Sequence, residues 1–185
     1  MIKRLVSLRI VAVLFVIASC VPATTPQNRY ATEMLPALTL LEKWQDDFTN
    51  IETLLTEPLD PTTGITRLQL IELYNLAMEY QISREDYSSL GLMSLDALVG
   101  PSANLSRDGQ SILDILSEVT PVEEIQADHQ VILECLQTRI AFADELASSI
   151  KKLSAIDMSK AGDLDACDPF DESLEKLTVF VDEER

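Results

Sequence analysis

Apolar residues recur along this chain at alternating steps of three and four, the period of one face of an α-helix. The pattern is cleanest from Tyr30 to Thr56, where Tyr30, Met34, Ala37, Leu41, Trp44, Phe48, Ile51 and Leu55 are spaced four, three, four, three throughout. A seven-residue repeat of this kind predicts a helix packed at a shallow angle in a bundle. Pro36 either starts the regular helix or kinks its first turns, and Pro58 with the turn-forming Asp60-Pro-Thr-Thr-Gly64 ends it. Thr66 with Gln69 is a capping box for a second helix, to Tyr80. Its polar stripe of Gln69, Glu72, Asn75 and Glu79 is narrow, so burial over more than half the circumference is expected. Ser83 with Asp86 caps a fresh turn, and helix continues or restarts through Leu98.

Gly100-Pro101 reads as a break before a third helix over 102–119, with its seam at Leu105, Gly109, Ile112, Leu116 and Val119. Gly109 there marks either a close helix crossing or a weak point in the helix. Thr120-Pro-Val-Glu123 has the form of an N-cap, a proline at the first helical position and an acid that reaches back. It predicts a long helix to about Ile156, with Ile125, Ile132, Leu136, Ile140, Ala143, Ala147 and Ile150 on one face. Asp168-Pro-Phe-Asp171 repeats that form before a last helix bearing Phe170, Leu174, Leu177 and Val181. Only five glycines and little β-branched alternation accompany these seams. The fold expected is all-α: an up-and-down antiparallel bundle of four main helices plus a short C-terminal helix.

Charge divides the chain. Residues 1–19 carry Lys3, Arg4 and Arg9 and no acid, which leaves 11 bases against 31 acids in residues 20–185, a net charge of −20. Such a body is repelled by phosphates, so nucleic acid is not an expected partner. The basic start and the apolar run from Ile10 to Ala18 have the layout of a secretory signal peptide, and the run is too short to stay as a membrane span. Ile17-Ala18-Ser19-Cys20 follows, an aliphatic residue, two small ones and a thiol. This motif resembles the lipobox of bacterial lipoproteins. The resemblance implies a diacylglyceryl thioether on Cys20, cleavage before it and acylation of the new N-terminus. It also implies a place in the cell envelope, lipid-anchored on the extracytoplasmic side of a bacterial membrane. The organisation expected is a signal peptide over 1–19, the lipidated Cys20 with a polar tether over 20–28, and the helical domain over 29–185. Its Trp-bearing helix and the segment TPVEEIQADHQVILECLQ are similar to helical lipoproteins of bacterial envelopes, a likeness that brings no activity with it.

Candidate chemistry is sparse. His129 is the only histidine and Trp44 the only tryptophan, and both fall on apolar seams. Each has a core-packing reading and a ligand-binding one. His129 lacks the Glu three residues before it, and the second His, that carboxylate-bridged metal bundles use. No metal or cofactor is expected. Asp157, Asp163, Asp165, Asp168 and Asp171 cluster late in the chain without the spacing of a calcium loop, and read as solvated loop acids. No nucleophile elbow or phosphate loop is present in the sequence, so enzyme activity is not expected.

Cys135 and Cys167 are the pair left once Cys20 is assigned to lipid. In an oxidising compartment they read as a disulfide, and otherwise as two buried thiols. For them to meet, residues 157–166 must run back along the bundle. Ten residues reach about 33 Å, against a rise of about 31 Å from 135 to 156. The segment Ser88–Val99 holds more apolar side chains than one helical stripe can bury. It either caps the end of the bundle or exposes a contact surface with Leu92, Met93 and Leu95 in it. The function expected is an interaction or scaffolding module, held to the membrane by its N-terminal lipid and contacting one or more protein partners. The alternative is a small-ligand or metal-binding lipoprotein that uses the bundle interior near Trp44 and His129.

Overall fold

A computed structural model describes residues 25–162 and 167–185 of the chain, and α-helices dominate it. The signal-peptide and lipobox residues, Cys20 included, lie outside the described residues. Helix α1 spans Pro26–Thr56, α2 Arg67–Glu79, α3 Arg84–Ser89, α4 Asp96–Glu118, α5 Gln126–Lys152, α6 Ser159–Gly162 and α7 Phe170–Glu183. Short 3-10 turns at Leu92–Leu95 and Glu123–Ile125 lead into α4 and α5. Among the described residues there is no β-strand, only an isolated bridge between Pro58 and Thr66 across the loop after α1.

Four helices make the bundle. Helix α1 packs on α4 and α7, and α5 packs on the same two from the opposite corner. The chain runs up, down, up and down through α1, α4, α5 and α7. At the lower end Asn28 Nδ2 donates to the Glu184 carbonyl at 2.8 Å, and Gln27 Nε2 donates to Glu124 at 3.3 Å. The first helical turn of α1 is thereby tied to the start of α5 and the end of α7. All eight residues of the α1 seam are buried, as are the seam positions read for α4, α5 and α7. Helix α5 also buries Cys135, Phe142 and Leu146 beside its seam, where it packs on α4 and α7.

The upper end is closed by α2, α3 and the turn at Leu92–Leu95. Helix α2 packs on this turn and on α1. Arg67 reaches across it, donating to the Leu54 carbonyl at 3.0 Å and the Ser94 carbonyl at 3.1 Å. The Tyr74 hydroxyl lies 3.0 Å from the carbonyl of Ser149, in the last turn of α5, and 2.9 Å from that of Ser154, just past its end. Asn75 exchanges two hydrogen bonds with the backbone of Ile156, at 2.9 and 2.7 Å. So the segment after α5 turns down from the cap, and α6 and Cys167 lie along the bundle's flank. The short C-terminal helix is a full bundle member, and the second helix belongs to the cap.

Several local expectations change. Helix α1 starts at Pro26, with Thr25 accepting from Asn28 N–H at 3.1 Å, so Pro26–Asn28 are folded and not part of a tether. Pro36 and Pro101 sit inside helices without ending them, and Gly100-Pro101 is no break. Buried Leu98 and Ser102 on either side hold the start of α4 in place. Neither cap-proline-acid motif works as read. Val122 is extended, Ile125 precedes α5 without a side-chain cap, and Pro169 precedes α7 likewise. In both places the anchor is an apolar side chain, buried Ile125 and buried Phe170. The two boxes without proline, Thr66/Gln69 and Ser83/Asp86, form in full.

Candidate functional site

The two interior residues singled out by sequence are both committed to packing. The Tyr30 hydroxyl lies 3.0 Å from His129 Nδ1, with both residues buried. The imidazole also hydrogen-bonds the Leu116 carbonyl. A carbonyl only accepts, so the ring donates there and its Nδ1 accepts the Tyr30 proton. Burial pushes the imidazole below its ordinary value, against the smaller opposite pull of the Leu116 carbonyl, and pushes the Tyr30 phenol well up. The imidazole thereby joins α1, α5 and α4.

Trp44 lies 14 residues after Tyr30 on α1, about 21 Å along the axis, so the two candidate ligand residues do not share a site. Its Nε1–H donates to the Leu105 carbonyl at 2.8 Å, and its ring stacks on Phe48 at 5.9 Å. Gly109 makes room for it: a Cβ there would stand 2.7 Å from both Trp44 Nε1 and Ile140 Cγ1. Gly109 is therefore a close crossing. The outer edge of the indole borders an open groove of about 180 Å³ lined by Leu40, Lys43, Asp47, Asp108, Ser111 and Ile112. Its polar atom points the other way, into the bundle.

A third interior group was not singled out by sequence. Arg139, only 8% exposed, lies between the rings of Phe48 and Phe170, with its guanidinium carbon 4.5 and 4.3 Å from their centroids. Its Nη1 donates to Gln45 Oε1, and Gln45 Nε2 donates to Asp171 at 3.1 Å. An amide thus links a buried cation to a carboxylate at the start of α7, while Arg139 Nε has no partner. Stacking between two aromatic faces stabilises such a charge where water is excluded. The signal in the sequence was an Arg three residues after Leu136 and one before Ile140, inside an apolar face.

One turn before Arg139, Cys135 meets Cys167. Both side chains are buried and the two thiols are hydrogen-bonded to each other. No sulfur–sulfur bond joins them in this structure. The two cysteines therefore do meet, although residues 163–166 of the returning segment lie outside the described residues. Among the described residues no group of three or more His, Cys, Asp or Glu is placed to hold a metal ion, and no helix is long and apolar enough to cross a membrane.

The surface candidates separate. Leu92 and Leu95 are fully buried, so they cannot be contact residues and instead close the end of the bundle. Their turn is packed under α2 and α4, which consumes both side chains. Met93 between them is half exposed. The expected burial of α2 over more than half its girth fails. Only Ile71, Tyr74, Ala77 and Met78 are buried on it, while Leu73, Leu76 (53% exposed) and Tyr80 (77%) face outward. Spacings of three and four place those three on one helical stripe. Glu72, Glu79, Glu85 and Asp86 lie exposed on α2 and α3. The two arginines of residues 57–96 are both engaged, Arg67 on carbonyls and Arg84 on Asp96 at 2.7 Å. The cap thus presents an apolar stripe on α2, with exposed acids on α2 and α3. No protein-family model, no curated protein and no solved structure matches this chain.

Proposed function

We propose that this protein is a lipid-anchored, extracytoplasmic interaction module of a bacterial envelope, and that its working surface is the cap. The observation that carries the reading is the outward stripe of Leu73, Leu76 and Tyr80. It lies at the end of the bundle away from the start of α1, where a lipid tether on Cys20 would enter. Helix α1 has 31 residues and is about 46 Å long, so the anchor would hold the cap well clear of the bilayer. The occupant we infer is a protein segment with an apolar core and basic flanks. Apolar side chains would cover the stripe and the flanks would answer Glu72, Glu79, Glu85 and Asp86. The two interior candidates, Trp44 and His129, are each engaged by packing partners, the Leu105 carbonyl and the Tyr30 hydroxyl, which supports a working surface on the outside of the bundle.

The test is a photoreactive side chain placed at Leu76 or, as a control at the lower end, at the half-exposed Val179. The reading requires a discrete adduct from position 76 that is lost with Leu73→Asp and weakened by salt. Adducts from 179 alone, or adducts indifferent to Leu73→Asp, would overturn it. Anchoring is tested separately. The mature N-terminus should be a lipid-modified Cys20, and Cys20→Ser should leave the precursor uncut. An unmodified mature start at another residue would sink the anchor and leave the cap proposal standing.

A further inference from the structure

Cys135 sits in the middle of α5 and Cys167 three residues before α7, 32 positions apart in sequence. Their contact is held from several sides. Asn75 grips Ile156 above, and Glu145 accepts from Lys160 Nζ at 2.8 Å and from the Asp157 N–H at 3.0 Å along the way down. One turn nearer the cap on α5 than Cys135, Phe170 lies on the Arg139 guanidinium. The two sulfurs meet thiol against thiol, with only 4% and 3% of each residue exposed.

We propose that Cys135 and Cys167 are a disulfide site, closed while the last helix is still undocked and then sealed inside the finished bundle. Each thiol gives up one proton and one electron as the sulfur–sulfur bond forms. The acceptor is the disulfide of an oxidised dithiol oxidoreductase or of glutathione, which passes through a mixed disulfide and leaves as two thiols. That exchange requires a thiolate within reach of the oxidant. The finished bundle offers none: both residues are buried, and burial together with the neighbouring thiol pushes Cys135 up to about 12. The same enclosure keeps reductants from the bond once it is made. The bond fastens the start of α7 to the middle of α5, so the short last helix cannot leave the bundle without carrying a covalent loop with it. The site rests on the extracytoplasmic reading only for its oxidant.

The full chain carrying Cys20→Ser contains only these two thiols and is refolded from the reduced, denatured state in a glutathione redox buffer with detergent. The product should be 2 Da lighter than the reduced chain, since two hydrogens leave, and inert to alkylation in denaturant until reduced. Its thermal midpoint should lie on the order of 10 °C above that of the reduced protein. Reduced protein that is folded first and then given the same buffer should oxidise about tenfold more slowly, or slower still, than in urea. Two alkylatable thiols after refolding would overturn the site. Equal rates in folded and unfolded protein would overturn the order of closure. A bond that forms in the buffer, with free thiols in protein trapped from its own cells, would uphold the site and overturn the extracytoplasmic location instead.

Discussion

His129 couples the interior to solution pH. Its unfolded imidazole takes a proton near 6.5, whereas burial pushes the folded one lower. Above about 6.5 both states are neutral and the full stability is present. As pH falls below that value the unfolded chain binds the extra proton, and stability declines by up to about 1.4 kcal/mol per pH unit until the folded ring titrates. His129→Gln should cost about 1–3 kcal/mol at pH 7.5, because the Tyr30 hydroxyl and Leu116 carbonyl lose a fitted partner. The same variant should lose less than the wild type between pH 7 and 5.5. Urea midpoints at the two pH values check this, and equal declines would show that His129 is not the titrating group. Gly109 gives a second test at this scale. Alanine there gains about 1 kcal/mol of helix propensity. Against that stand two contacts of 2.7 Å on rigid side chains, one of them the indole that bonds Leu105. Overpacking prevails, and Gly109→Ala should be destabilised by about 1–3 kcal/mol. The chain has a single tryptophan, so the displacement of Trp44 should also appear as a shift in intrinsic fluorescence.

The elements were legible where burial repeats along one line. The α1 seam, all of it buried, could be read residue by residue, because a helix that packs on both α4 and α7 along its length leaves no choice of face. Helix α2 misled for the opposite reason. A narrow polar stripe signals deep burial only if something covers the rest, and α2 has partners on one side alone. Cap grammar misled at Thr120 and Asp168 because buried Ile125 and Phe170 set where those helices begin. The same contrast decides a pair of variants. Leu95 is fully buried under the cap, so Leu95→Asp places an unpaired carboxylate in the core and should abolish the cooperative transition or shift it by several kcal/mol. Leu76 is exposed, so Leu76→Asp should change stability by about 0.5 kcal/mol or less. Circular dichroism during urea unfolding distinguishes the two. If Leu76→Asp unfolds the protein, the outer stripe of α2 is structural and not a contact surface. Arg139 was illegible for a different reason: nothing in its spacing reveals two aromatic rings arriving from α1 and α7.

Across the whole molecule, 31 acids against 11 bases in residues 20–185 set the electrostatics. Several of the ion pairs that do form are local and exposed, such as Arg29–Glu33 and Lys176–Glu172 at i,i+4, and pairs of that kind contribute little. The better placed Lys160–Glu145 contact holds α6 to α5 and lowers the Glu145 carboxyl to about 2, yet it is one pair. Folding therefore gathers a large excess of negative charge into a small volume, and the cost is greatest where no salt screens it. At about 10 mM ionic strength the screening length is about 30 Å, comparable to the bundle itself, and at 150 mM it falls to about 8 Å. Two responses to salt compete. Screening weakens the few attractive pairs, which would lower stability, and it relieves the repulsion among many unpaired carboxylates, which would raise it. The excess of acids decides the sign. The urea midpoint at pH 7.5 should rise as sodium chloride goes from 10 to 300 mM, with most of the gain below 150 mM. Binding of a basic segment to the cap should weaken over the same range, because screening removes the attraction between its charges and Glu72, Glu79, Glu85 and Asp86. A midpoint that fell with salt would mean that the attractive pairs outweigh the net charge, and that the acids are less crowded in the folded state than their number implies.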